Sequence, residues 1–460
     1  MALDIVFERF VKGSPVGVMA QLALQHAISQ EWLNGLFEES RERQYTRELL
    51  FSTTVDLMSV VAMGLQPSLH AAAQASDLNV SLAALYDKVN HMEPGVIRAL
   101  ARGSGERLAP VIAPMKKGEA PWVKGYRVRV VDGNHLPASQ KRLGVLRRFR
   151  GAALPGHSLV VYAPELGLVT DMVPCEDAHS QERTLMPAVI EMAQPEDLWI
   201  MDRNFSTTAI CFGFENKHAA FIVREHGRNP NPRALEPLRK VGRIETGVVY
   251  EQPVEITDEE GNTLRFRRIE LRLDTPTEDG DSVIRLLTNA PKARLKARKV
   301  ARLYRKRWTV ESMFQRLESC LHSEVRTLGM PKAALFAFGV SIVAYNVLAV
   351  IQAAIEAAHP EAKEQGIELS SFYVANAAKL VYAGMMMAVA PEVWSAFENY
   401  SPRQLQRLLV RIAQNAEPRR FRKHRRGPKK KVDKGYVPRR IASSQISTAR
   451  ALEAGTVNYQ

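Results

Sequence analysis

YRVRVVD at residues 126–132 and DLWIMD at residues 197–202 are the stretches whose reading decides the fold. The first is a short β-branched run. The second is a continuous apolar run of the kind found in a central strand buried on both faces. Between them, SLVVYAPE and LVTDMVP are joined by a Pro-Glu-Leu-Gly turn that suits an antiparallel hairpin, and QERTLMPAVIEMA has helical spacing. Strand, hairpin, helix and buried strand in this order predict an α/β sheet of mixed direction. Both quoted runs end on an acid: Asp132 is followed by Gly133 and Asn134, and Asp202 by Arg203, Asn204 and Phe205. If the two strands are parallel neighbours, both carboxylates emerge at the carboxyl end of one sheet, where open α/β sheets bind ligands. Taken singly, each Asp reads equally well as a turn or helix-capping residue.

Working outward, residues 1–120 show helical spacing in VGVMAQLALQHAI, TVDLMSVVAMGL and SLAALYDKVNHM. Within them, Ser76 to Ala101 suits two short helices, with Asp77 or Ser81 as N-cap and Pro94-Gly95 as the break. A helix-turn-helix DNA reader and a plain helical bundle both fit this pattern. After Asp202 a helix near Thr207 to Asn216 and the strand AAFIVRE follow. Residues 227–290 hold strand runs separated by Glu-Glu-Gly-Asn and Glu-Asp-Gly-Asp turns and read as an antiparallel β-insertion. The expected organisation is an N-terminal helical DNA-binding region (1–120), a catalytic core (121–226 and 291–360) split by the insertion, and a C-terminal helical region (361–416). The remainder (417–460) is basic, poor in apolar residues, and expected to be disordered without a partner.

The chain has 460 residues, 46% of them hydrophobic, and a net charge of +14. Such a surplus of Lys and Arg favours a polyanionic partner, because phosphate contacts release condensed counterions. Cys175, Cys211 and Cys320 lack the spacing of a zinc site or a disulfide framework, which points to a reducing cytoplasm. The N-terminus lacks the layout of a secretory signal. Residues 333–355 carry no charge and are long enough to span a bilayer. Asn346, Gln352 and many alanines dilute that stretch, so the expectation is a buried core helix and no membrane partner.

The third acid comes from LYRKRWTVESMFQRLES, residues 303–319. At about 100° per residue, Tyr304, Arg307, Glu311 and Glu318 share one helical stripe, with Val310, Phe314, Leu317 and Leu321 on the next. One stripe can anchor in the core while its neighbour faces a site; alone, it reads equally as a solvated face with Arg307–Glu311 pairing. With the two aspartates, the pattern resembles transposases of the insertion sequence 4 family. Their motifs are Asp-Gly, Asp-Arg-x-Phe/Tyr and Tyr-x2-Arg-x3-Glu-x6-Lys. This chain matches with Asp132-Gly133, Asp202-Arg203-Asn204-Phe205, and Tyr304, Arg307 and Glu311; it departs at the Lys, which is Glu318.

The resemblance implies a ribonuclease H-like catalytic core with a β-rich insertion, and a catalytic triad of Asp132, Asp202 and Glu311. These would hold two Mg2+ ions, with Mn2+ as substitute, as two-metal phosphodiester chemistry requires. It also implies a homodimer acting on double-stranded DNA, both element ends and target. Tyr304, Arg307 and Arg203 are expected to contact DNA phosphates, with Arg316 standing in for the missing Lys. In the basic tail, Arg419, Arg420, Arg422, Lys423, Arg425, Arg426, Lys429, Lys430 and Lys431 are expected to bind the DNA backbone without reading sequence. Such a protein would work in the cytoplasm at the nucleoid. His135, His157 and His179 are read as hydrogen-bonding or structural residues. Two rivals remain: a ribonuclease H-like nuclease without strand transfer, and a transposase-derived DNA-binding protein without cleavage activity.

Overall fold

A computed structural model describes residues 4–46, 48–76, 78–147, 149–227, 229–277, 280–323, 325–424 and 445–457. The helical N-terminal region comprises α1 (Ile5–Gly13), α2 (Pro15–Ala27), α3 (Gln30–Ser40), α4 (Phe51–Ala62), α5 (Leu69–Gln74), α6 (Leu82–Asn90) and α7 (Pro94–Ile112). Ser81 caps α6 by accepting from the Ala84 N–H, whereas Asp77 lies outside the described residues. Pro94 begins α7, where its missing N–H costs nothing. One face of α7, from Val96 to Ile112, is buried along its length. A helix so embedded belongs to a bundle core.

The sheet comprises β1 (Arg127–His135), β3 (His157–Ala163), β4 (Leu168–Cys175), β5 (Asp197–Met201) and β6 (Ala220–Arg224); between β1 and β3 lie the short α8 (Gly144–Arg147) and a short β2 (Ala153–Leu154) that pairs elsewhere. It continues through β7 (Arg233–Ala234), β8 (Arg239–Ile244), β9 (Gly247–Thr257), β10 (Thr263–Leu273) and β11 (Val283–Thr288). The spatial order is β4-β3-β1-β5-β6-β11-β10-β9-β7, with β8 also on β9. β1, β5 and β6 are mutually parallel and the other pairings are antiparallel, giving the mixed direction expected.

The expected antiparallel β-insertion of residues 227–290 joins the core sheet, and two other local expectations need correction. β11 pairs with β6 through Leu286↔Arg224 and Leu287↔Val223, so the inserted strands prolong the sheet and cover an edge that would otherwise be open. The helix read over 181–193 is short, a 3-10 turn (Glu182–Leu185) leading into α9 (Met186–Ile190), with Pro187 in its first turn. Asp132 does not end its strand. Pairing of β1 with β5 stops at Val131↔Met201, but Gly133, Asn134 and His135 stay paired with Leu159, Ser158 and His157 of β3.

α10 (Thr208–Asn216) and α9 cover one face of the sheet. On the other lie α7, α11 (Ala297–Arg305), α12 (Thr309–Cys320) and α13 (Pro331–Ala358). α13 is long and apolar enough to cross a membrane, and 94% of its most apolar window is enclosed by the protein. Asn346 explains how a polar residue is tolerated there. Its side chain accepts from the Val169 N–H and donates to the Val169 C=O, both at 2.9 Å, acting as a ladder partner for the edge strand β4. α7 packs on the same edge so closely that a Cβ at Gly105 would meet the Val169 carbonyl at 2.7 Å.

α14 (Pro360–Glu364), α15 (Ser371–Ala388), α16 (Pro391–Ser395) and α17 (Pro402–Ala413) follow. The expectation of a disordered tail from 417 fails at residues 445–457. Ile446–Ser447 pairs in parallel with β2, the helix Thr448–Val457 follows, and Arg450 binds Asp177 at 2.7 Å. The physical reason is a few apolar residues: Ile446 and Ala451 pack against Leu146 and Ala153. Arg425, Arg426, Lys429, Lys430 and Lys431 lie outside the described residues.

Candidate active site

Strand alternation decides which face each acid takes. Val128 and Val130 of β1, and Leu198 and Ile200 of β5, join the core beneath α7, α11 and α13, whereas Val131, Trp199 and Met201 join the opposite core. With a period of two, Asp132 and Asp202 emerge on the first face, side by side just past the Val131↔Met201 register. Arg224 ends β6 with the parity of Ala220 and Ile222 and emerges there as well.

The third element arrives in two pieces. α11 and α12 are separated by a 3-10 turn, Lys306–Trp308, where a single helix was expected. Val310, Leu317 and Leu321 are buried and Phe314 is half-buried, so the expected apolar stripe does anchor α12. Tyr304 and Arg307 then reach the strand ends. The Tyr304 hydroxyl donates to Asp202 Oδ1 at 3.3 Å. Arg307 Nη1 donates to Asp132 Oδ2 at 2.9 Å and Nη2 to Glu311 Oε1 at 3.0 Å, so one guanidinium joins two members of the expected triad. Its Nε is buried and has no hydrogen-bond partner among the described residues.

The electrostatics are those of an acidic site with too little counter-charge. Burial pushes the Asp132 carboxyl up to about 6, and the nearby Asp202 and Glu182 add to the effect against Arg307 and the Gly133 N–H. Burial and Asp202 raise the Tyr304 phenol, which keeps it a neutral donor. For Arg307, burial opposes the charge, but Asp132, Tyr304, Asp202 and Glu311 outweigh it, so the guanidinium stays cationic.

Among the described residues, the candidate ligands here are the carboxylate oxygens of Asp132, Asp202 and Glu311, a donor type suited to Mg2+. No three acids, histidines or cysteines among the described residues are grouped closely enough to hold a metal ion. Asp132 and Asp202 adjoin, while Glu311 is held across Arg307. Such an open arrangement suits a cation that retains waters and takes up substrate phosphate oxygens.

The other expected residues are scattered. Arg203 is exposed in the turn after Asp202, close enough to Asp281 to lower that carboxyl. Glu318, in place of the family Lys, is exposed near the end of α12. Arg316 is half-buried and engages Tyr345 and Tyr162. Arg419, Arg420, Arg422 and Lys423 are exposed beside the start of α15, with Arg422 bridging Leu369 and Lys423 pairing with Glu368. His157 is fully buried and stacks on His135 at 5.1 Å, its Nε2 3.4 Å from Ser180 Oγ; the backbone N–H of His179 donates to Asp177 Oδ1.

Sequence reasoning missed two groups at the site. Arg224 binds Asp281 at 2.6 Å and is close enough to feel Asp202 and Tyr304. Its signal was the alternation of AAFIVR read against that of β5. Glu182 stands on the opposite face of β1, 3.8 Å from His135 Nδ1. A Cβ at residue 133 would lie 1.9 Å from its carboxylate, so Gly133 is what admits it. No local pattern marks Glu182, because the contact depends on how the 3-10 turn folds back over β1.

No curated protein matches the chain. Residues 124–347, which include Asp132, Asp202, the inserted strands and α12, match the family described as Transposase DDE domain. The mixed sheet with helices on both faces is consistent with the ribonuclease H-like core of such a transposase. This match over residues 124–347 supports a role in DNA transposition or recombination.

Proposed function

We propose that this protein is a transposase of the insertion sequence 4 type that binds the terminal inverted repeats of its element as a homodimer and cuts and joins DNA through Asp132, Asp202 and Glu311. The observation that carries this reading is the adjacency of Asp132 and Asp202 across one parallel register, with Glu311 tied to Asp132 through Arg307. In this reading the three carboxylates hold two Mg2+ ions, or Mn2+ in their place, which would activate the attacking oxygen and stabilise the leaving one.

The chain's own groups do the rest. Asp132 must lose its proton before it can act as a ligand, and its raised value puts that loss at about pH 6. Arg307 presents a planar cationic fork at the carboxylates, suited to a phosphodiester drawn into the same place. Tyr304, kept neutral, orients Asp202 by donating to one oxygen. Arg203 at the rim and the basic residues from Arg419 onward would hold the flanking duplex, and the N-terminal helices would read the ends. Asp132, Asp202 and Glu311 would hold the metal that supplies this chemistry both for hydrolysis, which frees a 3′-hydroxyl, and for the attack of that hydroxyl on target DNA. The protein would act at the nucleoid in the cytoplasm.

One observation favours the rival of a DNA-binding descendant without cleavage: Glu318 puts an exposed acid where the family pattern has a cation. The test incubates the protein with Mg2+ and DNA carrying the repeats that flank its gene, comparing wild type with Asp202→Asn and Glu311→Gln. Wild type is expected to nick the ends and join them to target, and the variants to do neither. Undiminished cleavage in both variants would refute the site; cleavage without joining would favour a nuclease, and binding without cleavage the descendant.

A further inference from the structure

A groove of about 680 Å³ runs along the side of α12, between that helix, the start of α15 and the strand of chain at residues 423–424. Its floor on α12 is Ser312, Gln315 and Ser319. Ser312 adjoins Glu311 in sequence, and Gln315 lies one helical turn beyond it, so the groove begins where the candidate active site ends. The opposite wall presents Phe372 and Tyr373, two large aromatics that are 45% and 40% exposed. Tyr373 meets Phe372 at 5.7 Å and 71°, and His424 at 6.0 Å and 89°. Lys423 and His424 supply basic groups along the same groove, with Glu368 in contact with Lys423 at 2.5 Å, while Arg316 lines it with its guanidinium turned toward Tyr345 and Tyr162. The sequence continues from His424 directly into Arg425 and Arg426.

Exposed aromatics are costly to leave in water, and these stand among hydroxyls, an amide and cations. Nothing in the active-site chemistry uses them. Aromatic faces beside a basic groove are what unpaired nucleotides require: bases stack on the rings and phosphates meet the cations. The volume is that of a small-molecule cleft, enough for a short unpaired stretch and too small for a duplex. We propose that this groove is a single-stranded DNA subsite, which takes up unpaired nucleotides of the strand leaving the catalytic carboxylates along α12. The proposal rests on the reading of the chain as a DNA-cutting transposase and adds a second, non-duplex mode of binding.

Fluorescence anisotropy of the full chain with a single-stranded oligonucleotide, and with the duplex of the same sequence, separates the two modes. The double variant Phe372→Ala/Tyr373→Ala is expected to lose roughly tenfold or more in affinity for the single strand and less than about threefold for the duplex. Phe372→Tyr/Tyr373→Phe, which keeps both rings, is expected to bind like wild type. Lys423→Gln is expected to flatten the salt dependence of single-strand binding by about 0.7 in log–log slope. An oligonucleotide carrying 5-iodouracil should crosslink to the peptide that contains residues 372–373 in wild type, a readout that needs no variant to fold. Equal losses on both DNAs, no loss in a folded double variant, or crosslinks elsewhere only would overturn the proposal. If wild type binds and crosslinks single strands but never cuts DNA, the transposase reading fails and the groove stands; if it cuts but does not crosslink there, the reverse holds.

Discussion

The extended edge of the sheet and the candidate active site handle charge in opposite ways. Along β9 and β10 each carboxylate is met by two cations. Glu255 lies between Arg233 and Arg265, Glu270 between Arg272 and Arg285, and Glu251 between Arg267 and Lys292. At the ends of β1 and β5 the ratio is inverted. Asp132, Asp202 and Glu311 gather around one buried guanidinium, and Arg224, another cation nearby, already binds Asp281. A surface that only needs to fold can balance its charges, as the sheet extension does. A site that leaves carboxylates in excess on a buried floor pays for it in stability, and a positively charged ligand removes that cost.

This contrast can be broken at the site. Asp202→Asn and Glu311→Gln should each reduce Mg2+-dependent cleavage on the order of a thousandfold, read as product per unit time on a labelled duplex. Losses under about tenfold in both would mean that the carboxylates are structural. Arg307→Ala should come next. Removing the one cation between Asp132 and Glu311 leaves buried acids facing each other and should cost about 3 kcal/mol in chelator, measured by denaturant unfolding. Added Mg2+ should restore part of that loss. If Mg2+ restores nothing, Arg307 is not standing where cationic charge is needed.

The pH dependence sharpens the same point. The Asp132 carboxyl is raised, from 3.8 to about 6, so the folded protein holds a proton that the unfolded chain has lost. Stability should therefore fall as pH rises from about 4 to about 6 and then level off. Asp132→Asn should reduce that slope in metal-free buffer. Metal-dependent cleavage should rise through about pH 6, because a proton and a cation compete for the same carboxylate; a profile flat across that pH would separate Asp132 from the chemistry. The smallest effect belongs to the sheet extension. Arg265 is exposed, and Glu255 keeps Arg233 when it is lost, so Arg265→Gln should move the melting temperature by no more than about 1 °C and leave cleavage within about twofold.

Much of this arrangement was legible in the sequence because it rests on periodicity. Alternation in YRVRVVD and DLWIMD fixes the face of each aspartate once the strands are known to be parallel, and the apolar stripe of Val310, Leu317 and Leu321 turns α12 toward them. What was not legible depends on contacts between distant segments. Glu182 reaches the site because a 3-10 turn folds over Gly133, and no spacing announces that. The break at Lys306–Trp308 lies inside a run with uninterrupted helical pattern, and it separates α11, which carries Tyr304, from α12, which carries Glu311. Residues 445–457 look like more of a basic tail until their few apolar side chains find Leu146 and Ala153. Arg316 was read from its spacing as a phosphate contact, but it turns toward Tyr345 and Tyr162, partners supplied by α13 and β3.

The proposed function requires Asp132, Asp202 and Glu311 to form one cation-binding unit. Titration of the metal-free protein with Mn2+ at about pH 8, followed by the paramagnetic resonance of free Mn2+ with duplex DNA present, counts the bound ions directly. Wild type should take up two ions, and Asp132→Asn, Asp202→Asn and Glu311→Gln should each lose at least one or bind it at least about tenfold more weakly. Identical stoichiometry and affinity in wild type and all three variants would contradict the account.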